Sequence, residues 1–271
     1  MKVPACATPV LTMFRPAFST PTYHRFLILG LAAVLTTGRR TVTNLLRTAQ
    51  YHAQGPVSSY HRVFSQRRWS LWALARMLIT FLLDHIVPPG PVLLAGDDTV
   101  TEHPGPRVFG KGRHRDGVRS THSYTAYRWC HKWVVVSVLV KLPLATRPWA
   151  LPVLVALYHP PEWDRVRGTR HKTLAHLARL LLARLIRWFP HRHFVFVGDT
   201  GYGTSETARF CHTHRRHLTL VSKFYRDAAL YEPPSPRTRG TIGRPRVKGR
   251  KLPSPQEVVA HRTRRTHLAV T

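Results

Sequence analysis

Apolar and polar positions alternate in two different ways along this chain. From residue 23 to about residue 87 the apolar side chains recur at helical spacing. Thr41 stands where it caps a helix over residues 42–50, Ser58 and Ser59 where they cap the next turn, and residues 69–87 are apolar at helical spacing. Pro88, Pro89, Gly90 and Pro91 then break the chain. Beyond them the spacing shortens: residues 92–95 predict a short strand, residues 133–142 a longer Val-rich one, and residues 149–158 a third. Helical spacing returns over residues 171–189, where Leu174, Leu177, Leu181 and Leu185 share one stripe with Arg179, Arg184 and Arg187 off it. A strand over residues 194–197, a helix from Thr204 to about residue 216 and a strand over residues 218–222 follow.

Three strands, helix, strand, helix, strand predicts an α/β chain: a mixed sheet flanked by helices, preceded by a small all-α domain. The expected division is a helical domain over residues 1–90, a core over 91–230 and a Pro-, Gly- and Arg-rich insertion or tail over 231–271.

Charge narrows the function. The 271 residues carry 42 Lys plus Arg against 12 Asp plus Glu, a formal net charge of +30. Such a surplus implies a polyanionic partner. A hydrophobic content of 43% excludes a merely disordered basic tail. Three scattered cysteines, Cys6, Cys130 and Cys211, outline neither a disulfide framework nor a paired zinc site. The apolar run over residues 26–35 falls short of the roughly 18 residues that span a bilayer, so a cytoplasmic location is expected.

Acids are scarce enough for their positions to matter. Asp97 and Asp98 close the first strand in VLLAGDDT, and Asp199 closes the fourth in FVFVGDTGYG. A carboxylate at the carboxyl end of a buried strand needs a partner, and open sheets place ligands in that crevice. Alternation puts Asp98 on the face of Leu94 and Gly96 and Asp199 on that of Val195 and Val197, and the two are expected to converge if their strands are neighbours. Hard oxygen ligands suit Mg²⁺ or Mn²⁺, the setting of two-metal phosphoryl transfer. The plainer reading is that Asp98 and Asp199 cap the turns that follow them.

With its strand order, the motif GDDTVTEHPGPRVFGKG (residues 96–112) and VGDTGYGTSE (residues 197–206), and with GRRTVTNLL (residues 38–46) upstream, the chain resembles the DDE insertion-sequence transposases. The resemblance implies a ribonuclease-H-like fold and metal-dependent DNA cleavage and strand transfer. It makes Asp98 and Asp199 the catalytic, metal-binding acids, with Asp97 as neighbour, and Lys111 a phosphate contact. It implies DNA partners, transposon ends and target, and a homo-oligomer. The third acid of that family, a Glu in a later helix with Tyr and Arg before it, is not found before Thr271, and the expectation is a truncated copy. Glu257 lacks that context, and Glu206 reads as a first-turn helix acid.

Basic residues mark two further nucleic-acid contacts. Arg62, Arg67 and Arg68 lie on the second of two short helices that would suit a helix-turn-helix or, equally, an ordinary helical subdomain with a solvated face. Arg244, Arg246, Lys248, Arg250 and Lys251 lie in the Pro/Gly/Arg-rich stretch. Cys211, His212, His214 and His217 do not share a helix face and read as basic surface, Gly201 and Gly203 meet no phosphate-loop spacing, and Trp129, Trp133 and Trp149 read as core. Two other functions stay open: a DNA-binding remnant that regulates transposition without cutting, and a basic RNA-binding protein of the ribosomal kind.

Overall fold

The computed structural model describes residues 5–102, 105, 108–223, 225–236 and 242–261. His103, Pro104, Pro106 and Arg107 of the first acidic motif and residues 262–271 of the expected tail lie outside the described residues. The chain divides into two compact units, Met1–Gly90 with Val140–Leu154, and Pro91–Leu139 with Val155–Thr271.

The first unit is helical. A short α1 (Thr8–Thr12) precedes α2 (Thr20–Leu35), α3 (Val42–Ala49), α4 (Val57–Ser65) and α5 (Leu71–His85). Thr41 caps α3 by accepting the Asn44 N–H at 3.3 Å, as its place in the sequence predicts. No serine caps α4: Pro56 occupies the cap position, and the Ser59 hydroxyl bonds back to the Pro56 carbonyl at 2.7 Å. Leu29, Ala32, Leu45, Ala49, Tyr60 and Val63 form one buried cluster joining α2, α3 and α4. Gly55 makes the turn before α4 at φ +88°, a conformation that disfavours any Cβ.

The strands of the sheet are β1 (Val92–Thr101), β2 (Gly112–Arg115), β3 (Tyr127–Val140), β4 (Trp149–Tyr158), β5 (Phe194–Gly198) and β6 (Leu218–Ser222), and the second unit also carries α6 (Pro161–Val166), α7 (Leu174–Trp188), α8 (Ser205–Thr213) and α9 (Pro255–His261). Spatially they run β4–β3–β1–β5–β6, with β2 also on β3. β1 pairs antiparallel with β3 and parallel with β5, which pairs parallel with β6. This mixed sheet flanked by helices agrees with the ribonuclease-H-like arrangement implied by the resemblance. β1 extends six residues beyond the apolar run that signals it, because pairing with β3 supplies ladder bonds that the polar residues 96–101 do not advertise. β2 and α6 carry no periodicity of their own and were not expected.

Alternation sorts the two faces of the sheet. Val92, Leu94, Phe194, Phe196 and Leu218 are fully buried, and α7 buries Leu177, Leu181, Leu182 and Leu185. Gly96 lies on the buried face, where a Cβ would stand 2.3 Å from the Phe196 ring. The opposite face is open: Leu93 is 47% exposed, Val197 37% and Val221 48%.

Candidate functional site

Asp97 and Asp98 lie within β1, where polarity replaces the apolar run, rather than at its end as the sequence suggested, and Asp199 follows the last residue of β5. In the parallel register Leu93 pairs with Val195, Ala95 with Val197 and Gly96 with Gly198. The ladder ends there; the next residues are Asp97, still inside β1, and Asp199, just past the end of β5, and both are exposed. Asp98 falls on the opposite face with Leu94 and Gly96, since successive strand residues point to opposite sides. There its Oδ2 pairs with the Lys132 Nζ at 2.7 Å, both side chains being largely shielded from solvent.

Local bonds hold each carboxylate. Asp97 Oδ1 accepts the Asp98 N–H at 2.7 Å. Asp199 Oδ1 accepts the Gly201 N–H at 2.9 Å. Its carbonyl accepts the Tyr202 N–H at 3.1 Å and the Ser222 hydroxyl at 2.7 Å, which ties the loop after β5 to β6. Gly203 is required there, since a Cβ would meet the Ser222 hydroxyl at 2.6 Å. These contacts fit the turn-capping reading of Asp199 as well as a ligand role, because Oδ2 remains outside them.

Tyr202 is only 2% exposed, and among the described residues its hydroxyl has no hydrogen-bond partner. Burial raises its pKa strongly, and the charges of Asp98, Asp97 and Asp199 add to the effect. The phenol therefore stays neutral beside the carboxylates.

Other expected site residues fall as follows. Lys111 is buried, its Nζ donating to the Gly105 carbonyl at 2.9 Å, so it is not a solvated loop cation. Arg62, Arg67 and Arg68 are exposed at and after the end of α4. Arg244, Arg246, Lys248, Arg250 and Lys251 are exposed too, but on a paired segment: the Glu232 N–H donates to the Arg250 carbonyl and the Leu252 N–H to that of Leu230, both at 2.9 Å. Glu206 pairs with Arg179 at 2.8 Å, and Glu257 accepts the Ser254 N–H at 2.7 Å. Neither joins the strand-end acids through these contacts. Cys211 is buried, which pushes its thiol up to about 11, while His212 is exposed. Trp129 and Trp149 are not core: each is 56% exposed. Among the described residues no group of three or more His, Cys, Asp and Glu stands together.

A family model described as DDE superfamily endonuclease matches residues 13–271. The chain belongs to that family. A DDE endonuclease acts on DNA, which the +30 charge suits. No curated protein matches the chain. Among the described residues of this DDE chain no helix is long and apolar enough to cross a membrane. Sequence reasoning missed Lys132, which sits in a Val-rich strand and shows its relation to Asp98 only once β1 and β3 are paired.

Proposed function

We propose that this DDE endonuclease is the transposase of an insertion sequence, cutting and joining DNA at the acids of β1 and of the turn that follows β5. The observation that supports the reading is the parallel pairing of β1 with β5 up to Gly96 and Gly198, the residues directly before Asp97 and Asp199, both of which are exposed. Adjacent strands lie about 4.8 Å apart, so the two carboxylates are placed to hold a single hard divalent cation. Their all-oxygen donor set fits Mg²⁺ or Mn²⁺. Such an ion, when bound, activates a water or 3′-hydroxyl and steadies the leaving oxygen.

The chain's own residues supply the rest. Asp97 and Asp199 would hold the cation, and the Gly201 N–H fixes how the Asp199 carboxylate is presented. Asp98 is held by Lys132 in an ion pair that leaves it little net charge. Exposed arginines and lysines hold the phosphates on either side of the cut.

Nicking of supercoiled plasmid in Mg²⁺ or Mn²⁺ tests this. Asp97→Asn and Asp199→Asn are expected to lose at least about a hundredfold, above the roughly 10- to 100-fold typical of groups one shell from a metal. Asp98→Asn is expected to lose less. The reverse order, with Asp98→Asn inactive and Asp97→Asn active, would return the catalytic role to Asp98. Terminal inverted repeats flanking the gene are the expected mark of the insertion sequence.

One observation favours a second reading, DNA binding without cleavage: among the described residues no third carboxylate joins the pair. Salt-sensitive duplex binding with no nicking in either metal is its signature.

A further inference from the structure

A cavity of about 600 Å³ opens between β2, the start of β3 and α6. Arg113, Tyr127, Trp129, Glu162, Trp163 and Val166 line it. Its size is in the ordinary range for small-ligand sites, and its composition is aromatic and cationic together. Tyr127 is 53% exposed and Trp129 56%, although large aromatic rings are ordinarily put to use as packing.

The rings differ in what already covers them. The Arg113 guanidinium lies 4.3 Å from the Tyr127 ring centre. Trp163 is packed by the His159 ring at 3.8 Å and by the Arg167 guanidinium at 4.0 Å, so it serves as a rigid wall. Trp129 has no such neighbour: among the described residues no ring or cation stacks on it. An indole left bare, beside cations and a carboxylate, suits a flat heteroaromatic ring joined to a phosphate.

We infer that this cavity receives a base of an unpaired DNA strand, stacked on Trp129. Every base offers a π face to such a ring, so the contact tolerates sequence. The Glu162 carboxylate accepts from a base N–H, the N3–H of thymine or an exocyclic amino group of the other bases, and Arg113 meets the adjoining phosphate.

Its place in the sheet supports the inference. Asp97 pairs with Val135 on β3, and alternation along β3 keeps Val135, Trp133, Trp129 and Tyr127 on one face. The Trp133 indole N–H donates to Thr101 Oγ1 at 2.9 Å, a contact that requires this shared side. Six residues at about 3.3 Å each separate Val135 from Trp129, roughly 20 Å along the strand. An unpaired end leaving the acids runs along that face to the cavity. The inference rests on the reading of the chain as a DNA strand-cleaving protein, but its test does not need cleavage.

Binding of a labelled oligothymidine to the full chain is measured by fluorescence anisotropy in EDTA, beside a duplex of the same length. Trp129→Ala is expected to weaken oligothymidine binding about tenfold or more, the effect of losing one base stack, with duplex affinity unchanged and Trp129→Phe restoring most of the loss. Equal affinity of wild type, Trp129→Ala and Tyr127→Ala for the oligothymidine would overturn the inference, as would an equal loss for duplex. Photocrosslinking of a 5-iodouracil oligonucleotide to the wild-type chain removes any dependence on variant folding: crosslinks at Tyr127 or Trp129 support the site, and crosslinks only elsewhere refute it. A chain that never nicks DNA yet shows these effects separates failure of the cleavage reading from failure of this one.

Discussion

At the scale of single residues, direction decides as much as identity. Asp97 and Asp98 are chemically identical neighbours, and the local motif ranks Asp98 first, yet the pleat sends one to the open face and the other to Lys132. Tyr202 makes a similar point about polar atoms. Its hydroxyl is buried without a partner among the described residues, so the cost of desolvating it is already present in the folded state. Tyr202→Phe is therefore expected to leave stability within about 0.5 kcal/mol of wild type or to raise it, whereas removing a satisfied buried hydroxyl costs about 1 kcal/mol. Thermal denaturation checks this, and a clear loss of stability would reveal a partner for the hydroxyl.

Among the elements, the short strand β2 shows how packing overrides a weak local signal. Gly112–Arg115 has no apolar alternation, but it pairs with residues 127–130 of β3 and buries His114 beside Tyr158. Burial first, then the charges of Lys132 and His131, lowers the His114 pKa from 6.5 to about 4, with Glu162 opposing them. A depressed folded-state value means that the unfolded chain binds the extra proton between about 6.5 and 4. Stability from this group is thus complete above pH 6.5 and is lost as pH falls toward 4, by at most about 3 kcal/mol. The thermal midpoint of the wild type should fall across that window, and His114→Phe should flatten the fall. Equal slopes for the two proteins would show that His114 does not carry the effect.

For the molecule as a whole, charge is the leading property. A net +30 spread over exposed arginines and lysines predicts DNA affinity that falls steeply with salt, by about 0.9 in log–log slope for each duplex phosphate neutralised. Replacing Arg244, Arg246, Lys248 and Arg250 together by Ala is expected to reduce that slope by roughly 3 if most of them meet phosphates. Anisotropy titrations of one duplex across a salt series measure it, and an unchanged slope would place the phosphate contacts elsewhere. The antiparallel pairing of residues 230–232 with 250–252 gives these cations a defined backbone, where composition alone predicted a solvated loop.

Much of this fold was legible in one dimension. Period-two and helical runs located five of the six strands and most helices, Thr41 announced a cap that forms, and Gly-Asp at the ends of two apolar runs pointed to the acids. These signals are local: they depend on which face a residue must bury, or on a bond to a residue a few positions away. Which acids face each other, which lysine neutralises one of them and which tryptophans stay in solvent depend on partners far along the chain. β1 had to meet β5 in parallel for the two Gly-Asp segments to lie side by side and meet β3 for Asp98 to reach Lys132, while Trp129 lies on β3 opposite only the four residues of β2. Residue type and spacing thus determined the elements and the kind of chemistry, and strand register, which no local pattern encodes, decided which side chains stand together.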